Sequence, residues 1–382
     1  MIIIKPLMLT ALRIVSFVVY FLTLCSAFGG YINPEIWALP SVGTLLLPFF
    51  GMATIVITAA WLFSRRFITG GIGLLTLLIC ITPLGQALPI SLSNKAAPGA
   101  RTFKMVSFNC THLSDLRSPE STSARSVRFL LDTDADFAAL AELYSLDVDG
   151  AHVGKEMLDS LKKKYPYQSK DGWRDVSLIS KYPFRTLDVK LPTDLQFHSF
   201  GAYKIDLKGS ELTVVVVHLP SYVLSGDERE ILSNAKNMES AKESLREFKG
   251  TVLEKLERAF RIRGLVSQAI VEMLQDESGP VVICGDFNDV PASWCYRTFL
   301  KGGFSDAYAE TSFGHLATFN KHMMYFHIDQ ILYRGALTPL YVRKSSMDAS
   351  DHYPLVAEFA YEKSSFNRAV RISDLFRRCS KS

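Results

Sequence analysis

Between residues 103 and 359, short apolar runs alternate with helical patterns, and the chain places an acid, an amide or a histidine at the end of most of those runs. The runs fall at 103–109, 176–180, 212–218, 281–284, 328–333 and 355–359, each rich in Val, Ile or Phe. Four to eight residues bounded by turn signals is the length of a buried strand and short for a helix. Helical periodicity lies between them. Residues 125–131 are amphipathic, and 227–274 is the longest charged and apolar stretch, with Gly250 as its dividing point. The alternation predicts an α/β fold with stacked sheets and helices outside.

The polar residues at the run ends carry the chemistry. Asn109 ends the first run, and Glu142 follows the apolar Phe137-Ala-Ala-Leu-Ala. His218 follows Val214-Val-Val-Val, and Asp286 and Asn288 follow Val281-Val-Ile-Cys-Gly. Asp329 sits inside His327-Ile-Asp-Gln-Ile-Leu, and Asp351-His352 precede Tyr353-Pro354. Singly, each has a structural reading: Asn109 as a turn cap, His218 as a core imidazole, Asp286-Phe-Asn288 as an Asx turn, Asp329 as a core ion-pair partner. Jointly they read differently. A strand holds its last residue rigidly, so side chains there converge readily. Buried acids are costly unless paired or bound to a cation. Several acids with Asn and His point to a hard cation with oxygen ligands, such as Mg²⁺.

The first 90 residues follow another rule. Three apolar runs, at about 7–28, 36–63 and 67–90, each reach the roughly 20 residues that a spanning helix needs, and they lift the mean hydropathy of the whole chain to +0.14. Arg13 is the one charge in the first run, and Pro83 and several glycines interrupt the third. A cleavable signal peptide is the alternative for the first run, but two more runs follow it. Lys5, Arg13, Arg65 and Arg66 fall before span one and between spans two and three, while 31–35 holds no basic residue. The positive-inside rule then places the N-terminus and second loop in the cytoplasm, and everything after about residue 91 outside. The expected organisation is a transmembrane region at 1–90, a linker at 91–101, a catalytic domain at 102–362 and a basic tail at 363–382. The expected location is a membrane, with the domain at 102–362 on its extracytoplasmic side. A net charge of +4 does not point to nucleic acid. The cysteines, at 25, 80, 110, 284, 295 and 379, form no C-x-x-C pair, so a zinc site is not expected.

The strings Val106-Ser-Phe-Asn109, Leu140-Ala-Glu142, Leu178-Ile-Ser-Lys-Tyr-Pro183, Val217-His218-Leu219, Cys284-Gly-Asp-Phe-Asn288, His327-Ile-Asp329 and Ser350-Asp-His352-Tyr-Pro354 resemble, in order, the motifs of the endonuclease/exonuclease/phosphatase superfamily. This is the fold of pancreatic deoxyribonuclease, abasic-site endonucleases, neutral sphingomyelinases and inositol polyphosphate 5-phosphatases. The apolar N-terminus is similar to that of membrane-anchored members from Bacteroidetes-type bacteria. The resemblance covers about 103–360. It implies a four-layered α/β sandwich, two packed mixed sheets flanked by helices. It also implies roles: Glu142 as metal ligand with Asn109 and Asp351 near it, and Asp286, helped by Asn288, orienting or deprotonating the attacking water. His352, oriented by Asp329, would contact the phosphate, and His218 would be a second phosphate contact. Mg²⁺ or Mn²⁺ is the implied cofactor. Ala141 stands where the family often has Gln, and His327 and Gln330 stand where it often has Arg or Tyr.

The expected activity is metal-dependent phosphoester hydrolysis, foremost of a phosphodiester. A nuclease and a phospholipid-headgroup hydrolase share that chemistry. Lys162, Lys163, Lys164 and Arg174 are candidate charge for nucleic acid, and equally a solvated face. A phosphomonoesterase on a small substrate is the near alternative, and a catalytically silent membrane-tethered binding domain is the alternative from another class. A transporter role for the spans lacks the intramembrane acids that mark a pathway.

Overall fold

The computed structural model describes residues 4–116, 125–149, 153–169, 175–188, 199–221, 253–321 and 325–361. Among these, two compact units separate: a smaller one of 4–88, 220–221, 253–265 and 290–298, and a larger one formed by the remainder. The basic tail at 363–382, Arg174, Gly250 and residues 227–252 of the long charged stretch lie outside the described residues. The remainder of that stretch is the helix Leu253–Met273.

The described residues of the larger unit hold twelve strands: β1 (Arg101–Asn109), β2 (Phe137–Ala141), β3 (Tyr167–Gln168), β4 (Val176–Ser180), β5 (Phe184–Thr186), β6 (Ser199–Asp206), β7 (Glu211–His218), β8 (Val281–Asp286), β9 (Ser305–Asp306), β10 (Asp329–Arg334), β11 (Leu337–Lys344) and β12 (Leu355–Tyr361). They form two mixed six-stranded sheets, ordered β11-β12-β1-β2-β4-β3 and β5-β6-β7-β8-β10-β9. Each sheet has one parallel pair at its centre, β1 with β2 and β7 with β8. The sheets share one apolar core, built from Phe103, Met105, Phe137 and Ala139 on one side and Val214, Val216, Val282 and Cys284 on the other. The outer face of the first sheet, through Val106, Ala138 and Ile179, packs on Val127, Leu130 and Leu161 of the helices Arg125–Thr133 and Lys155–Lys164. Beside the second sheet, Arg334 of β10 donates to the Leu274 carbonyl at the end of the long helix. The layered sandwich expected from the sequence is the one observed. Cys284 is buried within β8, and Cys110 is buried just beyond β1 rather than within it.

The smaller unit contains five helices from the apolar N-terminus: α1 (Ile4–Phe28), α2 (Leu39–Thr44), α3 (Leu47–Phe63), α4 (Phe67–Ile79) and α5 (Ile81–Ala87). Among the described residues, one continuous helical stretch, Leu7–Tyr31, is long and apolar enough to cross a membrane. The single long helix expected over 36–63 is instead two, divided at 45–46; Pro40 and Pro48 each stand in the first turn of their helix, where the missing N–H costs nothing. The run at 67–90 bends by 71° at Cys80, between α4 and α5.

The unit's polarity is inverted. Ser16, Thr23, Thr54, Thr58 and Thr76 are buried, whereas Phe63 and Ile68 are 90% and 83% exposed. The interior polar atoms find each other across helices: Thr23 Oγ1 lies 2.7 Å from Thr54 Oγ1, and Trp61 Nε1 donates to Ser16 Oγ at 2.8 Å. Gly73 of α4 admits close approach, since a Cβ there would lie 2.2 Å from Thr58 Oγ1 and 2.6 Å from the Tyr20 hydroxyl.

Candidate active site

Strand periodicity assembles most of the site. Along β1 the core-facing residues are Phe103 and Met105, and two steps of two lead to Asn109. The same count along β7 (Leu212, Val214, Val216) ends on His218, and along β8 (Val282, Cys284) on Asp286. Counting back from Ile331 on β10 gives Asp329. Register then sets three of these in one row, His218 opposite Asp286 and Asp286 opposite Asp329. The apolar rows between the sheets therefore terminate, at one end, in a polar row.

Glu142 is out of phase, one residue past the inward Ala141. It sits in the left-handed region at φ 52°, a conformation that costs a non-glycine residue of order 1 kcal/mol or more. The turn brings its carboxylate to Asn109. Asn109 Nδ2 donates to Glu142 Oε1 and to Asp286 Oδ2, both at 3.1 Å, so one amide ties the two sheets' acids together.

Two imidazole–carboxylate pairs face this group. His352 Nδ1 lies 2.8 Å from Asp329 Oδ2, and its Nε2 is 3.5 Å from Asp286 Oδ2. His218 Nδ1 lies 2.7 Å from Asp175 Oδ2, and its Nε2 is 3.9 Å from both Glu142 Oε1 and Asp286 Oδ2. Asn288, itself at φ 50°, donates its backbone N–H to Asp286 Oδ1 at 2.7 Å and its side-chain amide to the Leu219 carbonyl at 2.9 Å. Seven of the eight site residues expected from the sequence thus form one connected group. The eighth, Asp351, stands beside that group, its charge acting on His352. Its Oδ2 pairs with Lys321 Nζ at 3.1 Å, and its Oδ1 lies 3.5 Å from Ser350 Oγ.

Three supporting residues were not among those expected. Asp175 orients His218. Thr318 Oγ1 accepts from the backbone N–H of Ile328 and of Asp329, each at 3.1 Å. Ser350 Oγ donates to the Asn109 carbonyl at 2.9 Å and accepts from His352 N–H at 3.1 Å.

The electrostatics follow from this crowding. Burial disfavours charge on His352, but the carboxylates of Asp329 and Asp286 and the hydrogen bond to Asp329 outweigh it and push its pKa up to about 10. Burial likewise opposes protonation of His218, and the bond to Asp175 with the charges of Asp286 and Glu142 raises it to about 9. Burial raises the Asp286 carboxyl, with Asp329 adding to it and the two imidazoles and the Asn288 N–H opposing. His327 is the opposite case: buried among apolar groups and near His315, it is pushed down to about 3 and stays neutral.

A stability signature follows for the metal-free chain. A histidine whose folded pKa is raised stabilises fully below its unfolded value of about 6.5, and that contribution is lost as pH rises through the folded value. Denaturant unfolding in EDTA is therefore expected to show stability falling between about pH 6.5 and 10. His352→Gln should flatten that slope. A parental slope that is flat or rising over this range would contradict the assigned cationic pairs.

The donor chemistry suits a divalent cation. Glu142 and Asp286 offer hard oxygen atoms, and the acids outnumber the cationic groups facing them. A family model described as the Endonuclease/Exonuclease/phosphatase family matches residues 106–352. A second, described as a domain of unknown function (DUF8431), matches residues 9–87. No curated protein matches the chain. Similar solved structures include an endonuclease/exonuclease/phosphatase from Bacteroides vulgatus, 16% identical over 69% of this chain and 100% of that one, with a TM-score of 0.43. A beta toxin from Staphylococcus aureus with bound magnesium ions is 18% identical over 69% and 100%, TM-score 0.42. Sphingomyelinase C from Streptomyces griseocarneus is 17% identical over 69% and 100%, TM-score 0.40. With the family model spanning most of the sandwich and all the residues that converge at its end, the chain belongs to the endonuclease/exonuclease/phosphatase family of metal-dependent phosphoester hydrolases.

Proposed function

We propose that the chain is a membrane-embedded phosphodiesterase whose catalytic domain, over about 102–362, uses water activated at Asp286. The carrying observation is the convergence on Asp286 Oδ2 of the Asn109 amide, His352 Nε2 and His218 Nε2. Glu142 would hold Mg²⁺ or Mn²⁺, joined by Asn109 once its amide turns its oxygen from Thr111 N–H toward Glu142; when bound, the ion would polarise the phosphoryl oxygen and acidify water. The carboxylates and imidazole of Asp286, Asp329 and His352 also lie close enough to hold a cation. That trio is less suited to it, because His352 Nδ1 and Asp329 Oδ2 are already committed to each other at 2.8 Å.

Asp286, made more basic by burial, takes the proton of the attacking water while Asn288 fixes its other oxygen. The water oxygen bonds to phosphorus as the ester P–O bond breaks. The cationic imidazoles of His352 and His218 stabilise charge on the phosphoryl oxygens. Asp351 would serve near the site through Lys321 rather than as an inner ligand. Nuclease and phospholipid-headgroup hydrolase activity both fit this chemistry. EDTA is expected to abolish hydrolysis of bis(p-nitrophenyl) phosphate, with Mg²⁺ or Mn²⁺ restoring it; full activity in EDTA would reject the reading. Parallel assays on DNA, RNA, sphingomyelin and phosphoinositides assign the substrate.

Membrane embedding rests on the inverted polarity of the N-terminal helices, with hydroxyls inside and large apolar groups outside, the arrangement a bilayer favours. Three crossings would place the first loop and the catalytic domain on one side. Within the smaller unit, two contacts hold that loop. The Arg297 guanidinium lies 3.2 Å above the Tyr31 ring, and Arg261 Nε donates to the Pro34 carbonyl at 3.2 Å. With Lys5, Arg13, Arg65 and Arg66 on the other side, the catalytic domain would be extracytoplasmic at a bacterial inner membrane.

A further inference from the structure

We infer that the sheet-bearing unit rests on the bilayer surface through an apolar patch of Ile90, Leu92 and Phe313. This rests on the membrane embedding proposed above. Ile90 and Phe313 are partners in an isolated antiparallel bridge. Backbone bonds on either side hold it, Ser91 N–H to the Ser312 carbonyl at 3.0 Å and Gly314 N–H to the Pro89 carbonyl at 2.7 Å. The three side chains nonetheless stand 82%, 78% and 74% exposed. A backbone fixed in this way keeps large apolar groups in solvent, which is unfavourable unless another apolar phase takes them.

Chain geometry names that phase. Helix α5 closes at Ala87, and Ile90 follows three residues later. An extended chain covers at most about 3.6 Å per residue, so Ile90 lies within about 11 Å of the end of the last apolar helix. A patch that close to a bilayer-embedded helix is within reach of the headgroup layer.

The rim has the matching charge. Ser312 Oγ donates to the Val342 carbonyl, and the next two residues of that strand, Arg343 and Lys344, are exposed. Asn94 N–H bonds the Leu340 carbonyl of the same strand, and exposed Lys95 follows it. Apolar side chains bordered by lysine and arginine are the composition of a surface that binds anionic lipid. The patch also touches the chemistry by sequence. Phe313 begins the segment that carries Thr318, whose hydroxyl holds the Asp329 N–H. Phe319, on that segment, packs edge-on to the His352 ring at 5.1 Å.

Spin-label accessibility on the full chain tests this. With Cys25 and Cys379 changed to Ser, a nitroxide is placed in turn by Phe313→Cys, Ile90→Cys, Leu75→Cys and Tyr167→Cys, and the protein is reconstituted in phosphatidylcholine–phosphatidylglycerol vesicles. The ratio of collisions with oxygen to collisions with a water-soluble nickel chelate is expected to be several-fold higher at 313 and 90 than at 167, and highest at 75. If 313 and 90 match 167 while 75 reads as lipid, the docking surface is refuted and membrane embedding stands. If 75 also reads as water, the embedding fails and the docking with it.

Discussion

Replacing His352 by Ala lowers the rate of phosphodiester hydrolysis by about 10²-fold or more, and Asp286→Ala lowers it at least as far. The residue is 5% exposed, its ring fixed by Asp329 on Nδ1 and facing Asp286 with Nε2. Its removal takes away a buried cation that stabilises charge on the phosphoryl group. It also leaves Asp286 and Asp329, neighbours in register, as two buried acids without the charge between them. Losing a group of this type changes the transition state more than substrate binding, so kcat should fall with little change in KM. Steady-state kinetics in saturating Mg²⁺, on variants shown by circular dichroism to be folded, read this directly. Activity that survives both substitutions would reject the roles given to these residues.

Gly285→Ala is expected to be the most damaging single change that leaves every reactive group in place. Gly285 has φ +132°, a conformation open to glycine alone, and an added Cβ would lie 2.1 Å from the Val217 carbonyl oxygen. That oxygen belongs to the backbone of the paired strand β7, so no side chain can swing aside. Strain and overpacking of this kind cost on the order of 3 kcal/mol or more, which lowers Tm by roughly 6–12 °C for a domain of this size. Because Asp286 is the next residue, the displaced strand end should also remove most of the activity. Thermal unfolding and turnover measured on the same preparation check it, and a variant with parental Tm and rate would show that the strand relaxes without penalty.

Much of the site was legible because strands count in twos. An apolar run that ends on a polar residue fixes both the direction and the position of that residue, and this gave Asn109, His218 and Asp286; Asp329 stood out instead as an acid inside an apolar run. What the count could not supply came from elsewhere. Asp175 precedes β4 rather than ending a run, and only the antiparallel pairing of Ala141 with Val176 carries it to the end of β2 beside Glu142. Thr318 and Ser350 act through hydroxyls on loop backbone, with no periodicity to mark them. Asp351 was grouped with the metal by its place in the Ser-Asp-His string, and it stands beside the group, paired with Lys321 while its charge acts on His352. In the N-terminal third, hydropathy located the apolar runs. It did not show that residues 36–63 make two helices, or that Cys80 marks a 71° bend, because composition averages over breaks that one or two residues impose.

Catalysis of this kind requires acids from separate strands to gather about one divalent cation. Anomalous diffraction from crystals of the chain grown with Mn²⁺ tests it most directly. The predicted result is a peak within about 2.2 Å of a Glu142 carboxylate oxygen, on the side that faces Asn109, Asp286 and His352, and absent in Glu142→Gln crystals. A peak at some other acidic cluster, or one unchanged by Glu142→Gln, would contradict it.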